Sequence, residues 1–209
     1  MAYQHPGKEA ERRTAALVKA VNSALDVHYA ASKTDAKNRI SISLSHGKGG
    51  LARSPEEQAA YLLKGTSWTA NSAHMADGAK HILVHQGGIV TWILSSLEAK
   101  DKAAFNVLVK TWENAMKTED LRNHGGGSTF DYKGSDPLHM ELPASKLNDN
   151  DPRVIRTLEI YAKATRLQGK AKNTLYEAKR GSDFQKKWLQ QYDQDLLKQK
   201  MAKKNVGPR

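Results

Sequence analysis

The stretch that decides the fold reads Ser72-Ala-His74-Met-Ala-Asp77-Gly-Ala-Lys-His81-Ile-Leu-Val-His85. Two imidazole side chains stand seven positions apart in it, with a carboxylate between them. The apolar residues in its second half predict a short buried strand near His81–His85. Apolar residues continue to Leu97 but are interrupted at Gly87-Gly88, so we expect the strand to end there and a helix to follow from about Gly88.

Further strands and helices are predicted on both sides of this stretch. Residues Arg39–Ser45 alternate apolar and polar side chains, which is typical of a half-buried strand, and His139–Leu142 is a second strand candidate. Apolar residues at helical spacings predict the helices, which span Glu9–Ala31, Ser54–Lys64, Lys102–Lys117, Val154–Leu167 and Thr174–Lys204, the last interrupted at Gly181. This mixture of strands and helices indicates an α+β fold.

The composition excludes several classes of protein. The chain has 209 residues and no cysteine, so disulfides, thiolate metal sites and cysteine nucleophiles are excluded, and any metal must be held by His, Asp or Glu. No apolar run approaches the roughly 18 residues that a transmembrane helix requires. The N-terminal residues contain no apolar segment of the kind found in signal peptides, so no signal peptide is expected.

The positive charge is concentrated in the C-terminal part of the chain. The net charge is +11, and residues 150–209 contribute +9 of it, from 15 basic and 6 acidic residues. We therefore divide the chain into a domain at residues 1–145 and a basic helical extension at residues 146–209. The extension would suit an anionic wall or membrane surface. A specific nucleic-acid partner is not expected, because aromatic residues are few and no binding motif is present.

Two other interpretations of the extension remain open. Lysine-rich helices are most often ordinary solvated faces. Alternatively, the apolar stripe that includes Trp188, Leu189 and Tyr192 packs onto the rest of the protein, which would make the extension part of the fold.

Two polar clusters carry the residues that could bind a metal. The first contains His74 and His81, and the second is Asp136-Pro-Leu-His139-Met-Glu141. The two clusters would meet if they lay on adjacent strands. Three neutral imidazoles and one free carboxylate make a catalytic zinc site, because zinc takes three protein ligands, keeps a fourth position for water and needs a general base beside it.

Several motifs occur in an order and spacing that resemble one family of enzymes. They are Gly50-Leu-Ala-Arg53-Ser-Pro-Glu-Glu-Gln58, Tyr61-Leu-Leu-Lys-Gly-Thr-Ser67, Ser72-Ala-His74 and Asp136-x-x-His139-x-Glu141, with a glycine-rich loop at Gly125–Phe130. This part of the chain, roughly Ile40–Leu142, resembles the zinc peptidases that cut peptidoglycan stem peptides. That family includes D-alanyl-D-alanine carboxypeptidases and the L-alanyl-D-glutamate endopeptidases of phage endolysins. The resemblance implies a small antiparallel sheet flanked by helices, and Zn2+ as the cofactor.

The resemblance also implies roles for individual residues. The implied zinc ligands are His74, His81 and His139, and the implied general base and acid is Asp136. Arg53 would bind a carboxylate or the scissile carbonyl of the substrate, since its planar guanidinium suits bidentate recognition of anions. Ser72 would support the first histidine, and Glu141 either supports a ligand or faces solvent.

The sequence departs from the family pattern near the first ligand. The family's second ligand is an aspartate seven residues after the first histidine, and His81 stands at that position here. Imidazole is a good zinc ligand, so we interpret this change as a substitution that removes one negative charge from the metal site. Asp77 stands where the family has glycine, with Gly78 one position later, and a local shift would make Asp77 the ligand instead. One extra residue also separates Gly50 from Arg53.

The function implied by the resemblance is zinc-dependent hydrolysis of an amide bond in the peptidoglycan stem peptide. The expected setting is a monomeric phage endolysin that stays in the host cytoplasm until holin-type release to the cell wall, or a virion-associated lytic enzyme. The alternative is a catalytically degenerate wall-binding or virion structural protein with the same fold. In simpler interpretations, Arg53 pairs with Glu56 or Glu57, and the remaining histidines of interest are ordinary surface or loop residues: His46, His85 and His124.

Overall fold

The computed structural model describes residues 6–45, 52–67, 69–91, 94–123, 129–130, 138–143, 146–167 and 183–205. Within these residues, six helices and a five-stranded antiparallel sheet confirm the predicted α+β fold. The helices are α1 (Pro6–Ser32), α2 (Pro55–Leu63), α3 (Leu94–Lys100), α4 (Lys102–Thr118), α5 (Pro152–Leu167) and α6 (Asp183–Asn205). The strands are β1 (Ile40–Leu44), β2 (Ala79–Gln86), β3 (Ile89–Thr91), β4 (Arg122–Asn123) and β5 (His139–Glu141). None of the described helices is both long and apolar enough to cross a membrane.

The chain divides into two units, each with its own apolar core. The first unit contains Met1–Ala52 and Ala76–Ser145, and the second contains Arg53–Met75 and Lys146–Arg209. One division therefore falls where the sequence was divided, but Arg53–Met75 groups with the C-terminal helices. The reason is a shared core of buried apolar residues from α2, the loop after it, α5 and α6: Leu62, Ala70, Val154, Leu158, Tyr161, Ala162 and Leu189.

Strand β2 is the central strand of the sheet in the first unit. It pairs antiparallel with β1 over residues 82–86 and with β5 over residues 79–81, where His81 lies directly opposite His139. Strand β4 pairs with β5 as well. Along β2, Ile82 and Val84 are buried in the core. His81 alternates with them and therefore belongs to the opposite face of the sheet.

A tight hairpin joins β2 to β3 at Gly87-Gly88. Both glycines have positive φ, +56° and +83°, which suits a two-residue hairpin turn. A Cβ atom on Gly87 would overlap the backbone carbonyl of Lys37, so a side chain has neither the conformation nor the space it needs there. The prediction of a helix from about Gly88 is therefore wrong, because β3 follows the turn and the next helix begins at Leu94.

Side chains of α1 form hydrogen bonds with backbone groups on the outer edge of β1. Asn22 accepts a hydrogen bond from the N–H of Ile42 (2.9 Å) and donates one to its carbonyl oxygen (2.8 Å), as a neighbouring strand would. The hydroxyl of Tyr29 accepts from the N–H of Ile40 at 2.7 Å, and burial raises the pKa of this phenol. At these residues the edge strand offers no template for pairing with another chain.

Helix α2 begins where the sequence predicts. Ser54 is its N-cap and forms a capping box with Glu57, and Pro55 occupies the first turn. The chain leaves the helix through Gly65, whose φ is +73°. The cap fixes the start of α2 directly after Arg53, which is the residue implied to bind substrate.

Candidate metal centre

Two of the implied ligands lie side by side on the sheet. His81 on β2 and His139 on β5 are directly opposed in an antiparallel pair, so both side chains project from the same face. Their ring centroids are 5.2 Å apart and the rings are nearly perpendicular, at 89°. His139 is buried and His81 is half-buried. Strands β2 and β5 are adjacent, so His81 of the first cluster lies opposite His139 of the second.

The third histidine is carried by a short turn. His74 lies in a 3-10 turn, Ala73–Ala76, that leads into β2. Its backbone N–H donates to Oγ of Ser72 (3.3 Å), and its carbonyl oxygen accepts from the backbone N–H of Arg53 (3.0 Å). Two neighbouring residues therefore hold the backbone of this histidine, one of them the serine that was expected to support it.

The three histidines form one group that could hold a metal ion. One nitrogen from each ring of His74, His81 and His139 lies within 4.8 Å of the nitrogens of the other two. Zinc–nitrogen bonds are about 2.0–2.1 Å long, so nitrogens that share a tetrahedral zinc are about 3.4 Å apart. Three neutral imidazoles suit zinc and related divalent metals and leave a coordination position open.

A carboxylate contacts the most buried of these histidines. Nε2 of His139 and Oε2 of Glu141 are 3.1 Å apart, and only 12% of the Glu141 side chain is exposed. The two residues are separated by one position on β5, so their side chains share a face. A carboxylate beside a ligand imidazole fixes the orientation of the ring and raises its basicity. Of the two alternatives for Glu141, the structure therefore favours contact with His139, and not a side chain that faces solvent.

Asp77 turns the chain between the first two histidines. Its φ is +56°, in the left-handed region that glycine adopts most easily and that Asp and Asn tolerate better than most residues. Its carboxylate lies 2.8 Å from Nζ of Lys80, and both side chains are largely buried. Asp77 thus forms an ion pair with Lys80, and the metal-binding group found among the described residues contains His81 instead.

Helix α2 orients the side chain of Arg53. Nη1 of Arg53 donates to Oε1 of Gln58 at 2.7 Å, and the guanidinium carbon lies 4.3 Å from the ring centroid of Tyr61. Gln58 is fully buried, and its amide nitrogen donates to Oγ of Ser67 (2.9 Å) and to the carbonyl oxygen of Thr69. Neither Gln58 nor Tyr61 was expected to contact Arg53. Their places five and eight residues after Arg53, on the helix that Arg53 precedes, were the signal for these contacts.

Several predicted residues lie elsewhere. Asp136 falls outside the described residues, and its role as general base stays a prediction; His46 and His124 also fall outside them. His85 is half-buried on β2, and its Nε2 lies 2.8 Å from Oγ of Ser43. This histidine is therefore part of the sheet and has a polar partner there.

Comparisons of the chain with models of protein families, with curated proteins and with solved structures give no match. The histidine group and the residues around it, together with the motifs in the sequence, are what indicate a function.

Proposed function

We propose that the chain is a zinc-dependent hydrolase that cleaves an amide bond in the peptidoglycan stem peptide. The observation that carries this proposal is the group of three imidazoles with ligand nitrogens within 4.8 Å of one another. His74, His81 and His139 would hold the ion. Zinc bound in this way supplies a Lewis acid that activates water and polarises a carbonyl group at neutral pH.

The backbone around Asp77 supports the choice of this particular enzyme family. In the resembling peptidases a glycine stands three residues after the first ligand, and Asp77 occupies that position here. The residue has φ of +56°, which is the conformation that a glycine would provide at lowest cost. The turn between the first two ligands therefore fits the family motif without a shift in alignment, and this favours His81 over Asp77 as the second ligand.

Arg53 is the proposed anchor for an anionic or carbonyl group of the substrate. Its backbone hydrogen bond keeps it beside His74, and Gln58 and Tyr61 fix the plane of its guanidinium. A side chain that is already oriented loses less conformational entropy when it binds a ligand. A planar guanidinium held in this way suits the carboxylates of a stem peptide.

Asp136 is the proposed general base and acid. Its carboxylate would accept a proton from the attacking water and return it to the leaving amine, as the resemblance implies. A positioned acid–base group of this kind contributes roughly 10²–10⁴-fold to the rate.

Peptidoglycan is the proposed partner, and a phage endolysin or a virion-associated lytic enzyme is the proposed setting. The end of α6 would add attraction to an anionic wall polymer or membrane, because Lys198 is 75% exposed there and further lysines follow it.

The experiment that tests the proposal is digestion of purified peptidoglycan, followed by mass spectrometry of the released fragments. The wild-type protein should release fragments whose masses identify one amide bond of the stem peptide. His139→Ala, or wild type treated with a zinc chelator, should release none. A wild-type protein that binds zinc and still releases no fragment would contradict the hydrolase and favour a degenerate wall-binding protein.

A further inference from the structure

Residues from the C-terminal part of the chain fasten the segment that carries His74. The side-chain amide of Asn71 donates to the carbonyl oxygen of Leu147 (2.7 Å) and to Oδ1 of Asp149 (2.8 Å). Its Oδ1 atom accepts from the backbone N–H of Leu147 at 3.1 Å. Asn71 is buried, and these three bonds use most of the hydrogen-bonding capacity of an amide. The segment is therefore tied down three residues before His74.

A second attachment lies directly after this histidine. Nη1 of Arg153, in the first turn of α5, donates to the carbonyl oxygen of Met75 at 3.1 Å. The carboxylate of Asp151 holds the same guanidinium in a two-pronged contact, with both N–O distances at 3.1 Å. The hydrogen bond from Arg153 lowers the pKa of Asp151 below its ordinary value. Met75 is fully buried.

The two attachments bracket the turn that positions the imidazole. A 3-10 turn of four residues has poor hydrogen-bond geometry and little stability of its own. Its conformation must therefore come from contacts with the rest of the protein. Asn71 and Arg153 supply such contacts on the two sides of His74, and each joins residues that are more than 70 positions apart in the sequence.

We infer that Asn71 and Arg153 are positioning residues for His74, and that the start of the C-terminal extension takes part in metal binding. This inference rests on the proposed role of His74 as a zinc ligand. It gives Leu147–Arg153 a role in positioning His74, which the charge and composition of this segment do not indicate. Zinc affinity, and not stability alone, should depend on these contacts.

The test compares two arginines on the same helix. Arg153→Met removes the donor to Met75 and keeps most of the apolar stem of the side chain. Arg156→Met is the matched control, because Arg156 lies 3.7 Å from Glu56 and 3.6 Å from Glu159 in exposed pairs. Zinc affinity is measured in each folded variant by competition with a chromophoric chelator.

We expect Arg153→Met to bind zinc about 10–100-fold more weakly, which is the usual loss when an outer contact that orients a ligand is removed. Arg156→Met should bind zinc as tightly as wild type. Wild-type zinc affinity in a folded Arg153→Met protein would overturn the inference, even if the variant melts at a lower temperature.

A measurement on the wild-type chain covers the case in which Arg153→Met does not fold. Because linkage is reciprocal, residues that favour zinc binding must themselves be stabilised by zinc. Zinc should slow amide hydrogen exchange at Leu147 and in the first turn of α5. Exchange in α6 around Leu197, which is 61% exposed, should not change. Zinc binding without any change at Leu147 and in the first turn of α5 would also overturn the inference.

Failure of the proposed function gives a different result. The probe in both experiments is the zinc ion alone, so hydrolysis is not required. A wild-type protein that binds zinc but releases no peptidoglycan fragments contradicts the hydrolase and leaves the positioning role intact. A wild-type protein that cleaves peptidoglycan while Arg153→Met keeps full zinc affinity contradicts only the positioning role.

Discussion

The backbone N–H of Arg53 donates a 3.0 Å hydrogen bond to the carbonyl oxygen of His74, so the proposed substrate anchor is fixed beside a proposed metal ligand. The bond joins two segments of the second unit, the start of α2 and the 3-10 turn. It uses only backbone atoms, so the guanidinium of Arg53 and the imidazole of His74 take no part in it. Substitution of either side chain therefore tests its chemistry with this link unchanged.

Arg53→Lys should lower kcat/KM for a soluble stem peptide by about 10–100-fold, mainly through a higher KM. Lysine keeps the charge but cannot make a planar two-pronged contact, and loss of a hydrogen bond to a charged group costs about 1.5–3 kcal/mol. Steady-state kinetics would measure the change, with Arg156→Lys as the control. An unchanged KM would remove Arg53 from the binding site.

Glu141→Gln should weaken zinc binding by about 10-fold or more, because the neutral amide orients the His139 ring less firmly than the carboxylate does. Isothermal titration with zinc would measure the affinity. Glu159→Gln, an exposed position on α5, is the control and should bind zinc normally. Equal affinities in the two variants would show that the 3.1 Å contact between His139 and Glu141 does not support the ligand.

Two substitutions at Asp77 should separate backbone conformation from charge. Asp77→Gly and Asp77→Ala both remove the ion pair with Lys80. Only alanine is strained by the left-handed backbone conformation at φ of +56°. Asp77→Gly should therefore have the larger free energy of unfolding, by about 1 kcal/mol, although glycine usually destabilises a chain relative to alanine. Urea denaturation would show the difference. Greater stability of Asp77→Ala would mean that the turn does not have this conformation.

Stability at acid pH should depend on Glu9 in α1. Hydrogen bonds from Arg12 and Arg13 lower the pKa of Glu9 from 4.5 to about 2. The unfolded chain then binds more protons than the folded chain between these pH values, so this contribution to stability is lost as the pH falls from about 4.5 to about 2. Glu9→Gln should therefore lose less stability than wild type as the pH falls through that range. Glu11→Gln, exposed on the same helix, should lose as much as wild type.

Denaturant unfolding across this pH range would compare the two variants. A loss of stability that is the same in Glu9→Gln and in wild type would contradict the assignment to Glu9.

The C-terminal helices should contribute to stability through α5 and not through the end of α6. Leu158→Ala removes a fully buried side chain from the second core and should lower the free energy of unfolding by about 2–5 kcal/mol. Leu197→Ala, at a position that is 61% exposed, should change it by less than about 0.5 kcal/mol. Thermal melting would test both. Similar melting temperatures for Leu158→Ala and wild type would favour an extension that does not pack.

Most elements of the fold could be predicted because their signals are local. The capping box at Ser54 and the alternation in β1 lie within a few residues of the structures they specify. The hairpin at Gly87-Gly88 was missed because β3 has only three residues, too few for a pattern that separates a strand from a helix. Its signal was the glycine pair itself, which suits a turn that requires two positive φ angles.

In the candidate site, too, features with local sequence signals could be predicted, and contacts between distant segments could not. The three histidines were proposed as ligands from their spacing and from the resemblance to the peptidase motif. The pairing of His81 with His139 depends on β2 and β5 being adjacent in the sheet. The contacts of Asn71 and Arg153 could not be predicted, because each joins segments more than 70 residues apart and depends on how α5 packs against α2. The net charge of the extension favoured an anchor, whereas its apolar residues form the second core.

The most direct test of the account is the zinc content of the purified, dialysed chain, measured by inductively coupled plasma mass spectrometry. Wild type should retain one zinc per chain, and His74→Ala and His139→Ala should retain none while circular dichroism shows that their helices persist. A wild-type chain with no affinity for zinc, or full zinc content in both histidine variants, would contradict the assignment of these three residues as a metal centre.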